Sequence, residues 1–425
     1  MGQPAATLTA NGGLSTDGGP VRVVSLGALG VWHGMTRELE RVSAPRRHSR
    51  KSRSPGGHVL ICGGGVIGAS IAYFLSCRGV KATVIESTAL ACAASGKSGG
   101  FLARDWCDGT PLAPLAQRSF ALHAELNEKL SADWGYRRLD TYGGYAGFPA
   151  RRSAYRLGWL SSEVTIGQAL GSCDNTAQVH PRQFTKAMMR AAEAQGAELL
   201  TGRVSAIAQH HGRATGVVVA DGMIKGDAVV IAMGPWSMLA ALSLPLPAVF
   251  GLKGHSLVFD TGNAVPGEAL FIEYREPTGA ALSPEIFPRA DGTTYVCAIS
   301  SETPLPIDPA QVAPDPGAIE RLEAMCASLS PVLSSTKILA RQACYRPISA
   351  DGLPLIGRVP GVAGAYVATG HSVWGILNAP ATGEAMAELI VDGAAHKVDL
   401  RPFDPSRLPP AEPKAIGATA ANLHS

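Results

Sequence analysis

The stretch His58-Val59-Leu60-Ile61-Cys62-Gly63-Gly64-Gly65-Val66-Ile67-Gly68 runs a short apolar segment straight into a glycine turn. A helical pattern through Ile71, Phe74 and Leu75 follows, then a second apolar segment, Ala82 to Ile85, that ends in Glu86. Strand, glycine turn, helix, strand and acid in this order predict a dinucleotide-binding α/β unit. Gly63 permits the tight turn. Gly65 lets the helix N-terminus, with Val66 and Ile67 at its start, approach a pyrophosphate, and Gly68 lets the helix pack closely on the strand. Glu86 stands 18 residues after Gly68, where a carboxylate accepts hydrogen bonds from the adenosine ribose and argues against a 2′-phosphate. This unit alone does not separate FAD from NAD.

Downstream, Ala91-Cys92-Ala93-Ala94-Ser95-Gly96-Lys97-Ser98-Gly99-Gly100-Phe101 is a run of small residues where a simple NAD domain would supply another strand and helix. Small residues let a flat ligand lie against backbone. Ser95 and Ser98, beside Gly99 and Gly100, offer donors along a path toward a flavin ring, although a surface loop has the same composition. Farther on, His180 to Gln195 reads as an amphipathic helix, Ala197 to Leu200 and Arg203 to Gln209 as strands, and Asp227 to Ala232 as a buried strand entering Met233-Gly234-Pro235-Trp236-Ser237. Near the C-terminus stand Tyr345-Arg346-Pro347-Ile348-Ser349-Ala350-Asp351-Gly352-Leu353-Pro354-Leu355-Ile356-Gly357 and Val367-Ala368-Thr369-Gly370-His371-Ser372-Val373-Trp374-Gly375-Ile376, then a helix to about Ile390.

Together these elements resemble the D-amino acid oxidase family of FAD-dependent oxidoreductases. The matching patterns are GA-E-L-L-x-G-x-V, V-V-I-A-x-G-x-W-S, R-P-x-x-x-D-G-x-P-x-I-G and A-x-G-H-x-x-x-G-I, the last two as in glycine oxidase and its relatives. Within the family the chain looks closest to uncharacterised eukaryotic oxidoreductases carrying A-C-Y-x-P and G-H-S-x-W-G-I. The similarity covers most of residues 58–392 and fades to an outline between about 245 and 338.

The resemblance implies bound FAD, with the adenine beside the backbone of Val204 and the chain at Gly234 and Trp236 closing over the dinucleotide. It also implies that Gly357 adjoins the cofactor and that Gly370, Gly375 and Ile376 pass beside the isoalloxazine. A helix starting near Gly375 would turn unpaired amides and a positive dipole end toward the reduced ring. Arg346 matches the family arginine that holds the substrate carboxylate, a task suited to a two-point guanidinium fork; a structural arginine paired with Asp351 or a backbone carbonyl is the plainer alternative. His371 lines the ring or simply bonds to backbone, and Trp374 and Tyr345 wall the pocket or pack as core aromatics. Cys344 coincides with the position where sarcosine oxidase-like relatives attach flavin through sulfur, or it is a small buried residue. Lys253, Tyr274 and Arg275 fall in the expected substrate-facing sheet, and residue type alone does not place them in the cavity.

The fold expected is α/β, with a Rossmann-like FAD domain assembled from residues 58–145, 176–240 and 340–392. A second domain, about 245–338, should present a mostly antiparallel β-sheet that includes Ser256 to Asp260 and Thr294 to Ile299. The function expected is oxidation of a C–N bond in a small amine or amino acid by hydride transfer to flavin N5, giving an imine that hydrolyses. Oxygen, a quinone or a protein would take the electrons. A non-catalytic flavin-binding assembly or scaffold protein is the alternative, and an NAD-dependent dehydrogenase would not need the C-terminal elements.

Composition limits the other classes. With 46% hydrophobic and 17% charged residues the chain can bury a large core. Residues 1–57 hold eight Arg or Lys against three acids, net +5, while the rest has 29 basic and 31 acidic residues, net −2. A body near neutrality leaves no electrostatic footprint for nucleic acid. The Arg- and Ser-rich leader suits a plastid or mitochondrial address, or else a disordered arm or a start upstream of Met35 on a cytoplasmic protein. Residues 401–425 read as a loose tail. Eight scattered cysteines without a CxxC pair suggest neither zinc nor a disulfide framework. The longest apolar run, Val59 to Leu75, is shorter than the roughly 20 residues of a membrane span and is broken by glycines, so no transmembrane segment is expected.

Overall fold

A computed structural model describes residues 57–149 and 152–412. The basic leader, apart from Gly57, and the last residues of the tail therefore lie outside the described residues.

His58–Cys62 is the centre of a six-stranded sheet. The order is Leu355–Arg358, Ala365–Thr369, Ala228–Ile231, His58–Cys62, Lys81–Glu86 and Glu198–Thr201. All neighbours are parallel except the first pair. Parallel strands are covered on both faces, which is why they read as unbroken apolar runs. Side chains alternate along the strand. Val59 and Ile61 pack with the helices Val66–Ser76, Pro181–Glu193 and Gly375–Val391, whereas Leu60 and Cys62 pack toward a three-stranded meander of Ala206–His210, Arg213–Val219 and Gly222–Lys225.

The second sheet has eight strands, mostly antiparallel, with one parallel pair between Asp140–Ala146 and Glu268–Arg275. Leading from one edge are Ile338–Ser349, Val249–Asp260, Thr293–Ser301 and Glu285–Pro288. Here the boundaries need correcting, because Asp140–Ala146 and Ile338–Ser349 belong to this sheet although they were expected in the FAD-binding pieces. One face of the sheet, with Leu257, Ile272 and Val296, is sealed by Ala318–Leu329. The other face, with Phe271, Phe287, Tyr295 and Cys297, looks toward Phe101 and Trp106.

The loose tail also needs correcting, for residues 401–412. Phe403 is fully buried in the helix-side core, Arg407 forms an ion pair with Asp351 (2.7 Å), and the Ala411 N–H donates to Leu246 O at 2.8 Å.

The helix Gly375–Val391 contains Pro380, which lacks an N–H, so Ile376 O has no helical donor four residues on. His123, from the helix Ala113–Leu130, donates from Nε2 to Ile376 O (3.0 Å) and Leu377 O (3.2 Å) instead.

Candidate active site

Between the two sheets lies a cavity of about 1370 Å³. Sites for a small ligand occupy roughly 300–1,000 Å³, so this one has room for a large cofactor and a substrate together.

One end is built by the glycine turn. Gly63 adopts φ +113°, a conformation that a side chain would strain, and Gly65, Val66 and Ile67 bring the helix N-terminus to the cavity wall. The Val66 N–H donates to Ser95 Oγ at 2.9 Å, and no acid stands in the helix's first turn to oppose an anion. Glu86 accepts from the Gly64 N–H (2.7 Å) and the Thr88 N–H (2.9 Å), so it fixes the turn as well as facing the cavity beside Val204. Ser98, Gly99 and Gly100 continue the wall after a one-turn helix, Ala94–Lys97, that the small-residue run did not reveal. Gly234 and Trp236 also line it; Gly234 O accepts from Thr369 Oγ1 (2.8 Å), and Trp236 Nε1 donates to Pro306 O (2.7 Å).

The other end is built on the second sheet. Arg346 lies across Gly254, where a Cβ would stand 3.4 Å from the guanidinium carbon, and donates from Nη1 to Ser300 Oγ at 3.0 Å. Asp351, its alternative partner by sequence, is taken by Arg407. Cys344 and His371 line the same cavity, and so do Gly375 and Ile376 at the start of the C-terminal helix. The His371 ring accepts or donates at Nε2 with Thr382 Oγ1 (3.1 Å), and burial lowers its pKa to about 3, so it is a neutral imidazole in the working range. Burial pushes the Cys344 thiol up, against the positive influence of Arg346 and Lys97.

Several of the residues singled out by sequence lie off the cavity wall. Gly68 sits under the glycine turn, where a side chain would press on Gly63 O, as its packing role requires. Gly357 pairs in the sheet with Val367 and faces Pro405, and Gly370 turns the chain at φ +78° without reaching the cavity wall. Tyr345 is a buried aromatic that donates to Pro304 O (2.7 Å), and Trp374 alone of that pair lines the cavity. Lys253 is tied to Asp315 at 2.5 Å, away from the cavity, and Tyr274 and Arg275 do not line it either.

Other wall residues carried no motif. Phe101, Trp106, Phe271, Phe287 and Tyr295 form an aromatic wall, and Glu285 and Cys297 sit beside it. The only signal for them was the period-two alternation that puts Glu285 with Phe287, and Tyr295 with Cys297, on one face of adjacent strands.

The cavity fits a flavin dinucleotide. Two buried polar atoms without a partner, Ser98 Oγ and His371 Nδ1, belong to its wall and call for a polar ligand. Two helix N-termini without first-turn acids open onto it, one suited to a pyrophosphate and one to the charge of a reduced ring. A family model described as FAD dependent oxidoreductase matches residues 58–389. A Schizosaccharomyces pombe protein named as an oxidoreductase is 29% identical over 82% of this chain and 97% of its own. A glycine oxidase of Pseudomonas putida is 27% identical over 82% of this chain and 98% of its own. The crystal structure of a glycine oxidase from Geobacillus kaustophilus superposes with a TM-score of 0.69 at 26% identity, over 83% of this chain and 98% of that one. No helix among the described residues is long and apolar enough to cross a membrane. Cradle, sheet order and relatives agree on the coenzyme as well as the fold: the chain belongs to the D-amino acid oxidase family of FAD-dependent oxidoreductases.

Proposed function

We propose that the chain oxidises the C–N bond of a small amino acid or amine. The observation that carries this reading is Arg346, a cavity-lining guanidinium whose one hydrogen-bond partner among the described residues is Ser300 Oγ. Its other N–H groups are available to a carboxylate, and a two-point fork would fix the orientation of the carbon beside it. When bound, FAD supplies the acceptor for the substrate hydride at N5. His371, neutral, offers the ring or substrate a hydrogen bond rather than a charge. The amides at Gly375 and Ile376 supply the positive end of a helix to the same space. The glycine oxidases among the relatives act, by name, on a small amino acid.

The test is anaerobic bleaching of the purified flavoprotein by D-amino acids, glycine, sarcosine, cyclic imino acids and simple amines, repeated on Arg346→Ala. Losing a hydrogen-bonded charge contact of ~1.5–3 kcal/mol should lower the rate constant for carboxylate substrates by about 10- to 100-fold and leave simple amines nearly unaffected. An equal loss for both would remove Arg346 from the anchoring role. Bleaching by none would favour a flavin-binding protein without turnover.

A further inference from the structure

The cavity holds a second charge that the reading above does not use. Glu285 stands on the strand Glu285–Pro288 between Phe271 on one neighbour and Cys297 on the other, in one cross-strand row. Its single hydrogen bond among the described residues is from the Cys297 thiol, at 3.5 Å, a weak donor. The other carboxylates of the wall are already engaged. Glu86 takes two backbone N–H groups, Asp351 takes Arg407, and Asp108 takes Gln117. Arg346 shares the cavity and its charge favours ionised Glu285, yet it donates its hydrogen bond to Ser300 Oγ and the two side chains do not pair. Burial is the larger influence, and the carboxyl sits above its usual range.

Around Glu285 the wall is aromatic. Phe101 stacks on Phe287 with centroids 5.3 Å apart and planes at 8°, Phe271 meets Phe287 edge-on at 5.5 Å, and Trp106 meets Phe271 at 4.9 Å. An acid set among ring faces is the chemistry that receives an organic cation, and rings also favour a large apolar substituent.

We propose that Glu285 receives the ammonium group of the substrate while the surrounding rings hold an apolar or aromatic substituent, so that the site selects zwitterionic amino acids larger than glycine. This rests on the role of Arg346 given above. A carboxylate without an amine would neutralise Arg346 and leave Glu285 without the positive charge that favours its ionised form. A zwitterion satisfies both charges at once, and the pair therefore discriminates against simple acids.

The experiment measures calorimetric binding of three ligands to the holoenzyme under anaerobic conditions: phenylalanine, as whichever enantiomer binds tighter, 3-phenylpropanoate, and glycine. Wild type should bind phenylalanine at least about tenfold tighter than either of the others. Glu285→Gln, which keeps shape and removes charge, should weaken phenylalanine to the level of 3-phenylpropanoate and should bind 3-phenylpropanoate as tightly as wild type or more so. If Glu285→Gln leaves the preference for phenylalanine over 3-phenylpropanoate intact, or if glycine binds wild type as well as phenylalanine does, the proposal is overturned. Arg346→Ala separates the two readings. Loss of 3-phenylpropanoate binding there, with no effect of Glu285→Gln, sinks only the ammonium site; retained 3-phenylpropanoate binding in Arg346→Ala sinks the carboxylate anchor beneath it.

Discussion

Two residues of the cavity wall have protonation states that decide what they can do. Cys344 lies where sarcosine oxidase-like relatives attach flavin through sulfur, and it does face the cavity, but a thiol raised by burial is a poor source of the thiolate that such a bond needs. Acid precipitation of the purified holoprotein should therefore leave the yellow colour in the supernatant; colour retained in the pellet would show the link. His371 is held neutral with a pKa of about 3 against 6.5 in the unfolded chain. Between these values the unfolded state binds the extra proton, so its contribution to stability is complete above pH 6.5 and is lost as pH falls toward 3. Each unit of displacement is worth about 1.4 kcal/mol, which makes the loss at pH 5 on the order of 2 kcal/mol. Denaturant midpoints for His371→Asn should accordingly vary less between pH 7 and pH 5 than those of wild type. Parallel curves would mean that the imidazole charges freely in the fold.

Among the elements, the C-terminal helix shows a local fault repaired from a neighbour. Pro380 removes the donor for Ile376 O, beside the cavity, and His123 replaces it from another helix while staying neutral, with burial lowering its pKa to about 4. A buried carbonyl left without a donor costs roughly 1–3 kcal/mol. His123→Phe should destabilise the chain by about that amount, beyond any change in packing. In a Pro380→Ala background the helix regains its own N–H, and the same substitution should cost measurably less. Chemical denaturation of the four proteins gives the coupling directly, and additivity of the two changes would show that His123 does not serve that carbonyl. None of this was legible in the sequence, because the helix pattern through Ile390 is apolar with or without a proline, and His123 carries no motif. The glycine turn was legible for the opposite reason. Gly63, Gly65 and Glu86 are bound to local geometry at fixed spacing, so their residue types alone state the constraint. Arg346 was legible only through resemblance, and Glu285 only as a strand residue on the face of Phe287, since its neighbours Phe271 and Cys297 come from strands 14 and 12 residues away.

At the scale of the molecule, the cavity is closed by pieces far apart in the chain: the turn at Gly63–Ile67, the run at Ser98–Gly100, the sheet face around Arg346 and the helix start at Gly375. Two buried polar atoms of this wall, Ser98 Oγ and His371 Nδ1, have no partner within the described residues. FAD bound across this cavity would be a structural partner of both sheets, and its binding free energy would then belong to folding. A ligand that binds only the native state stabilises it by about 2.7 kcal/mol at a hundred times its dissociation constant. Unfolding temperature should therefore climb with added FAD past stoichiometry, and stripping the flavin should lower it. If the Gly65, Glu86 and Val204 end takes the adenosine half, ADP should recover part of the difference. If the stripped protein unfolded at the same temperature with and without FAD, the two sheets would be holding each other through contacts of their own, and the flavin would be a guest rather than a part of the core.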